Sequence, residues 1–275
     1  MRAFFKVRRS LLALSFSVLI ASACAQAQSG KDDYQPQVGQ EGKDVIWVPT
    51  PQALVDKMLD IAKATPKDYL IDLGSGDGRT VITAARRGIR AVGIEYNPDM
   101  VELSKRNAAK AGVGDRASFV KADLFESDFS KATVITMFLL PDINIKLRPK
   151  ILNLEPGTRI VSNSFTMGDW KADDTVMVKE GCASYCTAYL WIVPAKVEGS
   201  WQLGDGELAL TQTYQMIAGS LTRGGKTVQL ANGKLKGDQI TFNAGGSVYH
   251  GRVSGNSMAG TISSGGDWKA SRADK

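Results

Sequence analysis

Residues Asp72-Leu73-Gly74-Ser75-Gly76-Asp77-Gly78 follow an apolar run, Tyr69 to Leu73, and place three glycines at alternate positions. Such spacing lets a backbone turn tightly and approach a ligand that larger side chains would exclude. The pattern is G-x-G-x-G, and Arg79 stands where the third glycine of a dinucleotide fingerprint belongs. A glycine turn alone can be purely structural. Here Glu95 ends the next apolar run, Ala91 to Glu95, and Asp123 follows the one after it, Ser118 to Lys121. Acids at successive strand ends around one crevice favour a ligand site over a purely structural turn.

A second stretch with chemical potential is Val134 to Asn144, VITMFLLPDIN. A β-branched run breaks into Phe138-Leu139-Leu140-Pro141 and restarts as a helix, which sets a large aromatic and a proline where a strand ends. Plain core packing is the alternative reading of Phe138 and Leu139. The chain's one histidine, His250, lies far from these motifs, so no metal site is expected.

The elements that must position these residues alternate between strand and helix from Pro51 to Val193. A helix from Pro51 to about Ala64, with Thr50 as its cap, puts Leu54, Val55, Met58, Leu59 and Ala62 along one face. Strands at Tyr69–Leu73, Ala91–Glu95, Ser118–Lys121, Ala132–Met137 and Thr158–Val161 alternate with helices at Arg79–Arg87 and Pro98–Ala111. Two more strands, Thr175–Lys179 and Ala188–Val193, close the sheet as a hairpin around Cys182 and Cys186. The fold class is α/β, a doubly wound sheet with its ligand edge at the strand carboxyl ends. Asp77, Asp99 and Glu102 read as solvated helix-start charges.

Ahead of this lies a leader. Arg2, Lys6, Arg8 and Arg9 precede an apolar run of 13 residues, Leu11 to Ala23, with Ala25-Gln26-Ala27 as a cleavage site. A bilayer span needs about 20 residues, so export of the chain, to a periplasmic space, is expected over anchoring, with membrane association as the alternative. Removing residues 1–27 leaves 30 basic against 28 acidic residues, a net +2. No Lys/Arg-rich run interleaved with aromatics remains, which argues against a nucleic-acid partner. Cys182 and Cys186 then form an even pair in an exported chain, and a disulfide between them is expected, two unrelated thiols being the alternative.

With VPTP (Val48 to Pro51), DLGSGDGR (Asp72 to Arg79) and FLLP (Phe138 to Pro141), residues 44–194 resemble the class I S-adenosylmethionine-dependent methyltransferases. More narrowly, they resemble the small lysine methyltransferase group that includes the ATP synthase c-subunit enzyme and is related to Dot1-type enzymes. The resemblance implies a Rossmann-like sheet and S-adenosylmethionine as cofactor. It places Gly74, Ser75, Gly76 and Gly78 along the cofactor's amino-acid end with Asp72 helping to position it. Glu95 would take the ribose hydroxyls, and Asp123 the adenine amino group with Leu124 near the base. Thr50 either contacts the cofactor tail or simply caps its helix. Phe138 and Pro141 would wall the methyl site, with Asp142 as a candidate proton acceptor; Asn163, Phe165, Asp169 and Trp170 would line the same mouth or form an ordinary loop. The acceptor would be a protein lysine or another amine.

After Val193-Pro194-Ala195-Lys196 the texture changes: from Glu198 to the end glycine supplies 15 of 78 residues, too many for helices of useful length. Period-two alternation runs through Leu208, Leu210, Gln212, Tyr214 and Met216, and GKLKGDQITF (Gly233 to Phe242) is echoed by GRVSGNSMAG (Gly251 to Gly260). Gly224-Gly225, Gly237-Asp238 and Gly255-Asn256 fit two-residue hairpin turns. Six or more strands must curl to cover their apolar side, giving a small all-β meander or barrel-like domain over 198–275, with residues 28–43 as an N-terminal linker. Its role is either partner binding or passive support.

The leader directs the chain outward, whereas the methyl donor is made inside the cell. Two functions follow: an active methyltransferase on a protein lysine or other amine, or an exported protein that holds an adenosyl ligand without catalysis. Methylation of a small molecule or lipid headgroup differs from the first only in the acceptor pocket.

Overall fold

The apolar runs between Pro51 and Val193 assemble a seven-stranded sheet in the computed structural model, which describes Met1 and residues 34–273. Apart from Met1, the predicted leader lies outside the described residues. The strands are β1 (Tyr69–Leu73), β2 (Arg90–Glu95), β3 (Ala117–Lys121), β4 (Val134–Met137), β5 (Arg159–Asn163), β6 (Asp174–Met177) and β7 (Thr187–Ile192). Their spatial order is β3-β2-β1-β4-β5-β7-β6. The first five are parallel and β7 runs antiparallel to both neighbours. Between β1 and β4 the order reverses, which opens a crevice at the strand carboxyl ends. Register sets Asp72 of β1 beside Gly93 of β2 and Thr136 of β4.

Helices α1 (Gln52–Ile61), α2 (Arg79–Arg86) and α3 (Pro98–Lys110) cover one face, burying Leu54, Leu59, Val81 and Val101. The fourth helix, α4 (Pro141–Ile151), covers the other with Ile143, Leu147 and Ile151, each worth roughly 1.5–3 kcal/mol on burial. One expected cap is corrected: Pro51, not Thr50, is the N-cap of α1, and no side chain caps it. The first turn instead closes on the Pro51 carbonyl, which accepts from Leu54 N at 2.9 Å and Val55 N at 3.0 Å, so Thr50 is free for another task. Asn97 caps α3 by accepting from Asp99 N at 2.9 Å.

The glycine-rich stretch folds into antiparallel strands β8 (Gly199–Leu203), β9 (Gly206–Thr213), β10 (Met216–Arg223), β11 (Lys226–Gln229), β12 (Ala231–Lys236), β13 (Gln239–Ala244), β14 (Ser247–Ser254), β15 (Ser257–Ile262) and β16 (Asp267–Arg272). Pairing of β9 with β10 closes the meander into a barrel, and β11 pairs with the far end of the β10 edge that β12 also meets. Trp201, Leu235, Phe242 and Trp268 fill the interior, so this is a packed core and not a channel. The period-two pattern does not run through Met216. Tyr214-Gln215 make a turn, after which Ile217 points inward and Met216 is exposed.

The barrel is fastened to the α/β part by polar and aromatic contacts. Trp170 donates its indole N–H to Gln215 Oε1 at 2.9 Å and stacks on Tyr214, centroids 5.7 Å apart. Tyr214 donates to Asp169 Oδ1 at 3.0 Å, and Asp169 also pairs with Arg148. Asp169 and Trp170 therefore belong to this junction and not to the crevice mouth, because burial of Trp170 against Trp191 turns it away from the β4 end.

Candidate active site

The crevice floor is the turn after β1. Gly74 N and Ser75 N both donate to Ile94 O, at 2.9 and 3.0 Å, tying the turn to β2. At Gly76 φ is +54°, and a Cβ there would lie 2.8 Å from Trp47 Nε1, so both backbone sign and space demand glycine. Gly74 and Gly76 line the cavity; Ser75 and Gly78 do not. A Cβ on Gly78 would meet the Phe119 ring at 2.7 Å, and Ser75 is buried behind the turn against Gly93. Their expected cofactor contacts are thus corrected to packing roles. Asp77 is not a solvated charge either: it grips Arg79, whose Nη1 donates to Thr50 O at 2.9 Å. Ser104 Oγ donates to Gly76 O at 2.8 Å and holds the turn from α3.

Besides Asp77, the predicted acids Asp72, Glu95 and Asp123 all line the cavity. Asp72 accepts from Thr136 Oγ1 at 2.6 Å across the β1–β4 pair. Burial pushes its carboxyl up to about 7, against the pull of the Thr136 bond and with the nearby charges of Glu95 and Asp77 adding to the rise. Glu95 accepts from Gly76 N and Asn97 N, each at 2.9 Å, which orients the carboxylate and leaves one lone pair on each oxygen. Asp123 accepts from Phe125 N at 2.8 Å and pairs with Lys43, whose hydrogen bond holds the Asp123 carboxyl below its usual range. Leu124 lies beside it on the cavity wall.

Lys43 comes from a segment that reads as a linker in sequence. Residues 39–47 fold back on themselves through Gly39 N–Trp47 O and Trp47 N–Gln40 O bonds of 2.9 and 2.8 Å. They form a strap along the cavity, with Trp47 against Gly76 and Lys43 over the Tyr96 ring at 4.9 Å. Only VPTP, which follows the strap, carries a recognisable signal in the sequence.

The other end of the cavity is aromatic. Phe138 follows β4, Phe165 follows β5 and Tyr185 sits in the β6–β7 connection, and all three line the cavity. Thr50 lines it too, its Oγ1 accepting from buried Asn163 at 3.2 Å, which leaves the hydroxyl proton for a further partner. Pro141 and Asp142 are corrected: both are exposed in the first turn of α4 and neither lines the cavity, whereas their neighbours Leu139, Leu140 and Ile143 do. Cys182 and Cys186 are joined by a disulfide.

The donor set fits S-adenosylmethionine: a glycine cradle that a Cβ would fill, a buried acid suited to an ammonium, and two further carboxylates at strand ends. A family signature described as the ANTKMT methyltransferase domain matches residues 72–174. A protein-lysine N-methyltransferase of Saccharolobus islandicus (strain REY15A) is 44% identical over 152 residues, 54% of this chain and 94% of the relative. The lysine N-methyltransferase of the ATP synthase c-subunit in Mus musculus is 40% identical over 107 residues, 38% of this chain and 43% of that enzyme, so the chain spans less than half of it. Among solved structures, an RNA methyltransferase of Salinibacter ruber in complex with S-adenosyl-L-homocysteine is 49% identical with a TM-score of 0.52, covering 55% of this chain and 96% of that one. With the crevice geometry, these matches show that the chain belongs to the ANTKMT-type family of class I S-adenosylmethionine-dependent methyltransferases.

Proposed function

We propose that the enzyme N-methylates a lysine side chain of a protein acceptor. The observation that carries this is the aromatic mouth, Phe138 and Phe165, in one cavity with the glycine turn. The names of the Saccharolobus and mouse relatives support the same acceptor.

When bound, S-adenosylmethionine supplies a methyl group on a sulfonium, whose departure leaves a neutral thioether. Gly74 and Gly76 would lie against its amino-acid end, with the Asp72 carboxylate toward the ammonium, Glu95 toward the ribose hydroxyls and Asp123 toward the adenine amino group. Transfer forms an N–C bond as the S–C bond breaks, so the amine must arrive neutral and in line. Phe138, Leu139 and Phe165 present apolar surface to the entering alkylammonium, and loss of water there lowers its pKa. Its proton leaves to solvent, since Asp142 stands outside the cavity and the α/β part has no histidine.

RNA is a second acceptor class, favoured by the Salinibacter relative's name. The net charge of +2 without the leader and the absence of a Lys/Arg-rich run weigh against it. We also propose that the protein acts outside the cytoplasm, supported by the leader pattern and by the Cys182–Cys186 bond, which suits an oxidising compartment.

Incubation of the purified protein with methyl-labelled donor, lysine peptides, their arginine counterparts and total RNA tests the acceptor. The expected product is labelled Nε-methyllysine. Label in nuclease-sensitive material, or in no acceptor, would contradict the proposal.

A further inference from the structure

We propose that Tyr185 selects the acceptor, completing with Phe138 and Phe165 an aromatic gate that receives a cationic alkylammonium. The inference rests on the amine-acceptor reading above. The three rings come from three separate connections, after β4, after β5 and between β6 and β7, yet their centroids lie only 5.2 to 6.0 Å apart. Phe138 and Phe165 are half-buried, whereas Tyr185 is 43% exposed and forms the outer ring of the set.

Tyr185 is held there by its loop. Its φ is +55°, a left-handed conformation uncommon for an aromatic residue and sustained only where the surroundings impose it. Those surroundings are a loop closed twice, by the Val178 N–Cys186 O hydrogen bond of 2.9 Å and by the Cys182–Cys186 disulfide. A side chain this exposed has little core to pack against, so the strained backbone points to a surface task. Aromatic faces attract a cation within about 6 Å of the ring centroid, and the aliphatic stem of a lysine can lie along the same rings. The gate thus favours amines over neutral acceptors before the amine loses its proton deeper in the cavity.

The test uses the purified protein with S-adenosylhomocysteine and a peptide carrying trimethyllysine, against the same peptide with leucine. Wild-type protein binds the trimethyllysine peptide preferentially. Tyr185→Ala weakens that binding by about tenfold, Tyr185→Phe restores it, and donor affinity stays within about twofold. In turnover with a lysine peptide, Tyr185→Ala raises KM by a similar factor and spares kcat. Replacing both cysteines by serine shifts KM the same way, by less. Equal binding of the two peptides by wild type, or an unchanged Kd in Tyr185→Ala, overturns the gate. Tyr185-dependent binding without transfer to any lysine peptide supports the gate and defeats the lysine-transfer reading alone.

Discussion

At the adenosyl end of the crevice, the groups facing the cavity sit at or just beyond the carboxyl ends of adjacent parallel strands: Asp72 on β1, Glu95 on β2 and Asp123 after β3, around a glycine turn. At the acceptor end, the rings of Phe138, Phe165 and Tyr185 hang on three loops, one of them tethered by a disulfide. The first end is fixed by the hydrogen-bonded sheet and tolerates little change. The second is set by side-chain contacts between loops, where acceptor preference can change without disturbing the donor site.

The widest separation of the two ends comes from Gly76→Leu. Positive φ and the nearby Trp47 indole leave no room for a side chain, so donor affinity measured by calorimetry should fall more than about 100-fold while the barrel's near-ultraviolet tryptophan signal persists. Near-normal affinity would break the assignment of the turn. Phe138→Ala acts at the other end: kcat should drop by about tenfold or more, with donor Kd changed by less than about threefold. The reverse pattern would show that the methyl site is elsewhere.

Asp72→Asn sharpens the comparison through pH. The Asp72 carboxyl stays protonated to about pH 7 in the folded protein, whereas in the unfolded chain it ionises near its ordinary value of 3.8. Free-protein stability therefore falls between about pH 4 and 7 by roughly 4 kcal/mol on this account and then levels off, a loss the Asn variant lacks. An ammonium beside Asp72 favours the carboxylate, so donor affinity should rise as pH climbs toward 7 in wild type and stay flat in Asp72→Asn. At pH 8 the variant should bind about tenfold more weakly. Titrations at pH 5.5 and 8 check both signs. The smallest effect is expected for Lys43→Ala. Its pairing with Asp123 is near the surface, so donor Kd should move by less than about threefold and lose part of its salt dependence.

The same contrast explains what can be read from the sequence. The strand and helix alternation and the G-x-G-x-G turn are local patterns, as are the acids after successive apolar runs, and all are visible in short windows. Ser75 and Gly78 read as ligand contacts because spacing does not say which side of a turn a residue faces; only Phe119 and Gly93 packed behind it decide that. Pro141 and Asp142 mislead for a related reason, since sequence does not say that the first turn of α4 faces the cavity with Leu140 and Ile143 instead. Lys43 reads as linker, and Trp47 carries no site signal, because the strap gains meaning only from the crevice it crosses. Tyr185 has no signal of its own: its partners lie 20 and 47 positions away. In the barrel, hairpin turns at glycine pairs are legible, but the turn at Tyr214-Gln215 is not, since no glycine marks it.

The most direct test of the two-ended crevice is calorimetric titration of the purified protein with S-adenosylmethionine and, separately, with S-adenosylhomocysteine. Saturable one-to-one binding of both, lost in Gly76→Leu and kept in Phe138→Ala, is the predicted result. Binding of neither ligand by folded protein, or loss of binding in Phe138→Ala with retention in Gly76→Leu, would contradict it.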